Sequence, residues 1–190
     1  MRLHDRLAEL EGQIAEVMRG NLFVAARADG AEVVTDDTTL AGRAMRIVLS
    51  ELRKEVPYDS CSVQELRGSR LVIIGGVGFA QLDVIIGESF EVDNADIPNG
   101  EVIHRKRPLI VGDTQQYRAF RRGLHVGAGI RSWLGVPVLD GHRLAGMLAL
   151  DKAEPDYYTA VHAQTAIAYA SLVARAILES EGSSAGELAG

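Results

Sequence analysis

Residues 131–137 include a set of alternate positions whose side chains could bind a small molecule. If this segment is a β-strand, successive side chains point to opposite faces, so Arg131, Trp133 and Gly135 share one face. Arg131 could bind a carboxylate or phosphate through its planar charged group, and Trp133 could supply a flat apolar wall and an N–H donor. The same residues also suit a structural role, with Arg131 paired to Asp113 or another nearby acid and Trp133 filling the core. Both interpretations stay open.

Three further candidates lie on two segments that could form short helices, residues 100–106 and 114–122. His104 could hydrogen-bond a ligand or lie exposed on the first helix. Tyr117 and Phe120 stand three residues apart, which places them on one face of the second helix. They could contact a ligand or pack as part of the core.

The sequence contains no arrangement of residues typical of catalysis or of a metal site. It lacks a Gly-x-Ser-x-Gly elbow, a His-Glu-x-x-His pair, a Walker loop and the kinase motifs, and its five histidines have no metal-ligand spacing. Cys61 is the only cysteine, which excludes an internal disulfide and a site built from several thiolates. Because Cys61 lies in a predicted strand, we expect a buried core residue. We therefore predict a chain that is not an enzyme and holds no metal.

Composition predicts one main domain and excludes some partners. The chain has 190 residues, of which 47% are hydrophobic, and a net charge of -6 without a basic cluster, so direct nucleic-acid binding is not expected. No apolar run approaches the roughly 20 residues that cross a bilayer, and the N-terminus lacks a signal-peptide core. We expect a cytoplasmic protein that does not bind membranes.

The first twenty residues have the spacing of a coiled coil. Apolar residues recur at intervals of four, three, four and three, namely Leu3, Leu7, Leu10, Ile14 and Val17. This pattern predicts an amphipathic dimerisation helix over residues 1–20 that pairs with a second copy in a parallel homodimer. The alternative is an amphipathic helix packed on its own domain.

The remaining chain reads as helices and strands punctuated by turn residues. Residues 21–37 form a connector with a possible small hairpin, and Pro57 ends a helix that begins near residue 40. A final helix is capped by Thr159 and runs to about Glu179, followed by a flexible tail or linker over 181–190. Strands are predicted at residues 60–66, 71–76, 109–111, 133–139 and 144–150.

Three of these segments resemble the C-terminal half of a GAF domain, the small sensory module of signalling proteins. Residues 108–113 are similar to its short strand ending in Asp, and residues 132–137 to its Ser-x-Leu-x-Val-Pro strand. Residues 145–151 are similar to its following Gly-led apolar strand, and the resemblance can be extended over residues 40–179. It implies an α/β (α+β) domain over residues 38–180, with a central antiparallel sheet of five to six strands flanked by helices.

The resemblance also implies a function. In similar domains the positions of Arg131, Trp133 and Gly135 face a ligand cavity, and His104, Tyr117 and Phe120 would roof it. We expect a sensor that binds a small molecule, anionic if Arg131 contacts it, and regulates an output domain through its terminal helices. Such outputs include histidine kinases of two-component systems, diguanylate cyclases and transcriptional regulators. The alternative is a ligand-free dimerisation and docking domain whose cavity is filled by Trp133 and its neighbours.

The same resemblance argues against the cofactors of related domains. Arg131 stands where a haem-binding relative carries an axial histidine, and covalent bilin attachment needs a cysteine nearer to that strand than Cys61. The free methionine sulfoxide reductases of this fold use several cysteines. We therefore expect no cofactor, with haem and covalent bilin disfavoured.

Overall fold

An antiparallel sheet forms the centre of the computed structural model, which describes residues 2–20, 33–35, 40–79, 85–93, 95, 97–120 and 129–187. Its helices are α1 (Leu3–Met18), α2 (Leu40–Glu55), α3 (Pro98–Arg105) and α4 (Ala160–Glu187). Its strands are β1 (Val33–Thr35), β2 (Ser60–Arg67), β3 (Arg70–Val77), β4 (Ser89–Glu91), β5 (Leu109–Val111), β6 (Ser132–Asp140) and β7 (Arg143–Lys152).

The strands pair in the order β1-β3-β2-β7-β6-β5, and the short strand β4 also pairs with β3. β1 lies against residues 75–77 of β3 and β4 against residues 70–72, so the two share the edge of β3 that faces away from β2. The predicted mixed fold with a central antiparallel sheet is confirmed. β4 was not predicted, because its three residues lie in a segment without a clear hydrophobic period.

One face of the sheet is covered by α2 and α4, and α1 packs against these two helices. Strand alternation directs one apolar set toward these helices, so that Cys61, Leu134 and Leu148 are all fully buried there. The predicted helix before Pro57 is confirmed as α2, and the turn at Gly141 joins β6 to β7 with a positive φ of 57°. This layer holds the larger of the hydrophobic clusters in the described residues.

Helix α1 packs within its own chain, which corrects the prediction of a dimerisation seam. Leu10, Ile14 and Val17 are only 3%, 2% and 0% exposed and belong to the core cluster that α2 and α4 complete. Leu3, at 37% exposed, lies outside it. A coiled-coil seam and a core-facing stripe use the same helical spacing, so the sequence pattern fits both. The alternative of a helix packed on its own domain is the arrangement found.

Helix α4 is longer than the sequence indicated. Its backbone stays helical to Glu187, through most of the predicted tail. Its start is capped reciprocally: His162 N donates to Thr159 Oγ1 at 3.4 Å, and Thr159 N donates to His162 Nδ1 at 3.3 Å. By length and composition the segment Ala160–Glu179 could cross a membrane, which was not expected from the sequence. Half of this apolar segment is buried inside the domain, and the core helix of a soluble protein has the same length and composition.

Two smaller predictions also differ. Residues 114–120 form turns rather than the predicted helix, and residues 121–122 lie outside the described part. The possible hairpin within residues 21–37 would have had its strands at residues 22–26 and 32–35. The second of these is present as β1, which pairs with β3. The first, residues 22–26, falls outside the described residues.

Candidate functional site

The sheet face opposite α1, α2 and α4 carries a cavity of about 440 Å³. Its floor comes from β2, β3, β6 and β7, and its upper wall from the start of α3 and from residues 88–93 and 119–120. This volume lies within the range of small-molecule sites in proteins, roughly 300–1,000 Å³.

The floor follows from strand alternation. Cys61 and Val63 point into the helix-covered core, so Ser62 and Gln64 of β2 face the cavity. In the same way Asp151 of β7 lines the cavity while the preceding leucine is buried under the helices. The pairing of residue 60 with 151, and of 133 with 151, sets these strands side by side.

Asp151 is the most unusual group in the floor. It is 6% exposed, and Ser60 Oγ donates a hydrogen bond to its Oδ2 at 2.6 Å. Burial raises the pKa of Asp151 to about 7; the hydrogen bond from Ser60 opposes this shift, and the nearby charge of Asp59 adds to it. Asp151 was not among the predicted site residues, although an acidic residue at the end of a buried apolar strand is a signal that the sequence contains.

Gln64 presents an unsatisfied acceptor. The residue is 4% exposed, and its Nε2 donates to Ser62 Oγ at 2.9 Å. Its Oε1 is buried and has no hydrogen-bond partner in the part of the chain that the structure describes. A buried polar atom without a partner costs free energy, typically about 1–3 kcal/mol, which a ligand donor could recover. Gln64 was not among the predicted site residues either.

Trp133 and Phe120 are the two predicted ligand contacts that the structure brings together at the cavity. Trp133 is 4% exposed, and the two rings meet edge to face with centroids 6.0 Å apart and planes at 72°. Gly135 lies beneath the indole and does not itself line the cavity; a Cβ at Gly135 would overlap the Trp133 ring. Glycine at this position therefore leaves room for the tryptophan.

Arg131 does not extend into the cavity. Its Nε and Nη2 donate to the two carboxylate oxygens of Asp113 at 3.0 and 2.8 Å, and this pairing holds the pKa of Asp113 down at about 2. The backbone helps, because Thr114 N donates to the carbonyl oxygen of Arg131 at 2.8 Å and brings the two segments together. The structural alternative for Arg131 is therefore the arrangement found.

His104 and Tyr117 also lie away from the cavity. His104 is exposed, and its Nε2 donates to the carbonyl oxygen of Val92 at 2.8 Å. The Tyr117 hydroxyl donates to Glu101 at 3.3 Å. Both side chains link α3 to neighbouring segments, and neither is among the residues that line the cavity.

The described lining of the cavity is acidic. It includes four carboxylates and no lysine, arginine or histidine; the acids are Glu88, Glu91, Asp93 and Asp151. Glu91 is paired with Arg70 on β3, outside the cavity. The expectation of an anionic ligand depended on Arg131. It loses its support because that guanidinium is bound to Asp113 and the part of the lining that the structure describes has the opposite charge.

Cys61 lies on the opposite face of the sheet from the cavity. It is 0% exposed on the helix-covered face, where burial raises the pKa of its thiol and the charge of Asp151 adds to the effect. No group of three or more His, Cys, Asp or Glu side chains that could hold a metal ion occurs among the described residues.

The described part of the chain is a small α+β domain with three helices on one side of its sheet and a cavity of ligand size on the other. The family model described as GAF domain matches residues 41–178, and the chain belongs to this family. No match is found among curated proteins.

Solved structures show the same fold at low sequence identity. The GAF domain of a Coxiella burnetii phosphoenolpyruvate-protein phosphotransferase is 17% identical with a TM-score of 0.69, over 94% of this chain and 96% of that one. The corresponding Acinetobacter domain is 15% identical with a TM-score of 0.67, over 94% and 93%. Free methionine-R-sulfoxide reductase of Neisseria meningitidis, solved with its substrate, is 13% identical with a TM-score of 0.64, over 95% and 91%.

Proposed function

We propose that this GAF domain binds a small molecule in the cavity above β2, β6 and β7 and regulates a partner output domain through its terminal helices. GAF domains are sensory and regulatory modules of signalling proteins, which is the general role of the family. The observation that carries the specific proposal is the cavity of about 440 Å³ whose floor includes the buried, unpartnered acceptor Gln64 Oε1.

The sheet supplies a physical connection between this cavity and the helices. Trp133 faces the cavity, and the next residue, Leu134, is buried beneath the helical layer. Asp151 and Leu150 have the same relationship on β7. A ligand that favours one arrangement of these strands therefore also favours one arrangement of α1 and α4, in proportion to its difference in affinity for the two.

We assign the chain a non-catalytic role in the cytoplasm. Its only thiol is buried on the face away from the cavity, so it cannot act on a molecule bound there. The Neisseria reductase shares the fold, and an identity of 13% supports a common fold without supporting a common activity. Homodimerisation is part of the same proposal, and the exposed sides of α1 and α4 would supply the contact.

A ligand-free docking domain is the second candidate. That interpretation expects Trp133 and neighbouring side chains to fill the cavity. Trp133 instead lies in the floor with its ring against Phe120 of the wall, and the space next to the two rings is open. The open cavity favours the sensor over the docking domain.

The test is whether the purified protein holds or accepts a small molecule at this site. Native mass spectrometry with denaturing extraction would identify a copurifying molecule, and fluorescence reports on the site because Trp133 is the only tryptophan. The variant Ala149→Phe, which adds a ring to the floor, should lose the ligand; Ala160→Phe, at an exposed helix position, should keep it.

The docking-domain interpretation makes the opposite prediction. It would replace the sensor if the wild-type protein contained no small molecule and no member of a metabolite library changed its melting temperature or its Trp133 fluorescence. If Ala149→Phe bound the molecule as tightly as the wild type does, the binding site would have to lie outside this cavity.

A further inference from the structure

We propose that the cavity takes a protonated amine that has an apolar body and a second hydrogen-bond donor at its other end. This inference rests on the proposed function, since it names the ligand class of the same cavity. It is carried by three independent features of the floor and walls, namely a buried acid, a buried acceptor and a set of aromatic rings.

The buried acid is Asp151, which would bind the ammonium group. Its side chain receives a hydrogen bond from the neutral hydroxyl of Ser60, and no lysine, arginine or histidine is present in the described lining. A carboxylate buried without a positive partner is costly, and an N–H donor of a cation supplies a charge-assisted hydrogen bond. Asp93 at the exposed rim adds negative charge that attracts cations and repels anions, whereas the charge of Glu91 is offset by Arg70.

The buried acceptor is Gln64 Oε1, which would take the second donor. In β2, Gln64 lies four positions beyond the residue that pairs with Asp151. Four strand positions correspond to about 13 Å between Cα atoms, so one ammonium group does not serve both side chains directly. A ligand with an N–H or O–H at its far end satisfies both ends of the floor.

The aromatic rings suit the body of such a molecule. Phe79, Phe90, Phe120 and Trp133 all line the cavity. Aromatic faces attract cations and bury apolar groups. The three features therefore select for positive charge, for a donor and for an apolar spacer together.

Four small molecules that share one scaffold test each part of the proposal by calorimetric titration. Tyramine has the ammonium group and a second donor, and tyrosol replaces the ammonium by a hydroxyl. In 4-hydroxyphenylacetate a carboxylate takes the place of the whole aminomethyl group. Phenethylamine keeps the ammonium and lacks the second donor. We expect tyramine to bind about ten- to a hundredfold more tightly than tyrosol or 4-hydroxyphenylacetate, and about three- to tenfold more tightly than phenethylamine.

Two variants assign these differences to residues. Asp151→Asn should abolish the preference for tyramine over tyrosol, and Gln64→Met should abolish the preference for tyramine over phenethylamine. Glu65→Gln is the matched control, because it removes a charge from β2 at a side chain that pairs with Arg67 outside the cavity; it should change neither preference. Circular dichroism checks that each variant is folded.

The proposal is overturned if tyrosol or 4-hydroxyphenylacetate binds the wild type as tightly as tyramine, or if tyramine does not bind at millimolar concentration. It is also overturned if both variants keep the wild-type preferences. Failure here is separable from failure of the sensor function. A copurifying anion or neutral molecule displaced by Ala149→Phe would refute the amine and support the sensor, whereas the absence of any ligand would refute both.

Discussion

At the scale of single residues, folding changes the pKa of Asp151 enough for the change to be measured. Its pKa is raised from an ordinary 3.8 to about 7, mainly by burial. Between these values the folded chain keeps a proton that the unfolded chain has released, so the free energy of unfolding falls as pH rises. Asp59, Cys61 and Tyr158 are the titratable groups coupled to it.

Replacing Asp151 by Asn should remove this dependence. Asn keeps an oxygen that can accept the hydrogen bond from Ser60 and cannot acquire a negative charge. We expect the variant to exceed the wild type in stability by up to several kcal/mol at pH values above about 7, with the difference shrinking toward pH 4. Urea unfolding across this pH range measures it, with Glu65→Gln as the control. A difference that grew as pH fell would contradict the assignment.

The same scale shows which site residues a sequence can reveal. Alternation along β6 was sufficient to bring Trp133 to the cavity, because a strand has only two faces. Alternation alone did not decide whether Arg131 points into the cavity, because its partner Asp113 follows β5 and comes close only when β5 pairs with β6. Gln64 could have been found, since it continues a polar series on alternate positions of β2 opposite buried apolar residues.

At the scale of elements, most helices and strands could be predicted from nearby residues. Which surface each element packs against depends on residues far away in the sequence. Pro57 and Gly141 punctuate α2 and the β6–β7 hairpin, so those elements were predictable from nearby residues alone. Helix α1 was predictable as an amphipathic helix, and its partner was not, because helical spacing does not say whether α2 and α4 or a second copy cover the apolar stripe.

A substitution in α1 distinguishes these two packings. Leu10→Ala should lower the free energy of unfolding by about 2–5 kcal/mol, because it opens a cavity in the core of the chain. The mass measured by light scattering should be unchanged. Leu3→Ala, at a position 37% exposed, should change stability by less than about 0.5 kcal/mol. If the Leu10→Ala protein kept the wild-type stability and had half the wild-type mass, the result would support packing of α1 against a second copy instead.

At the scale of the whole molecule, one sheet carries two main hydrophobic clusters, one on each face, beside a small third cluster around Ile73 and Ile85. The larger cluster includes Leu134 and Leu150, and the smaller one, on the cavity face, includes Trp133 and Met147. Because neighbouring residues of β6 and β7 serve opposite faces, neither cluster can lose its packing without disturbing strands that support the other. This shared support is also the route by which occupation of the cavity would reach α4.

Unfolding should therefore be a single transition. Trp133 fluorescence reports on the cavity face, and far-ultraviolet circular dichroism reports mainly on α1, α2 and α4. We expect the two signals to give the same urea midpoint and slope, as cooperative single domains do. A saturating ligand at about 100 times its Kd should move both midpoints together, by about 2.7 kcal/mol of added stability. If fluorescence changed at a lower urea concentration than the helical signal, the cavity would open while the helices stayed packed. The sheet would then not couple the two faces, and regulation of an output domain would need a route that bypasses β6 and β7.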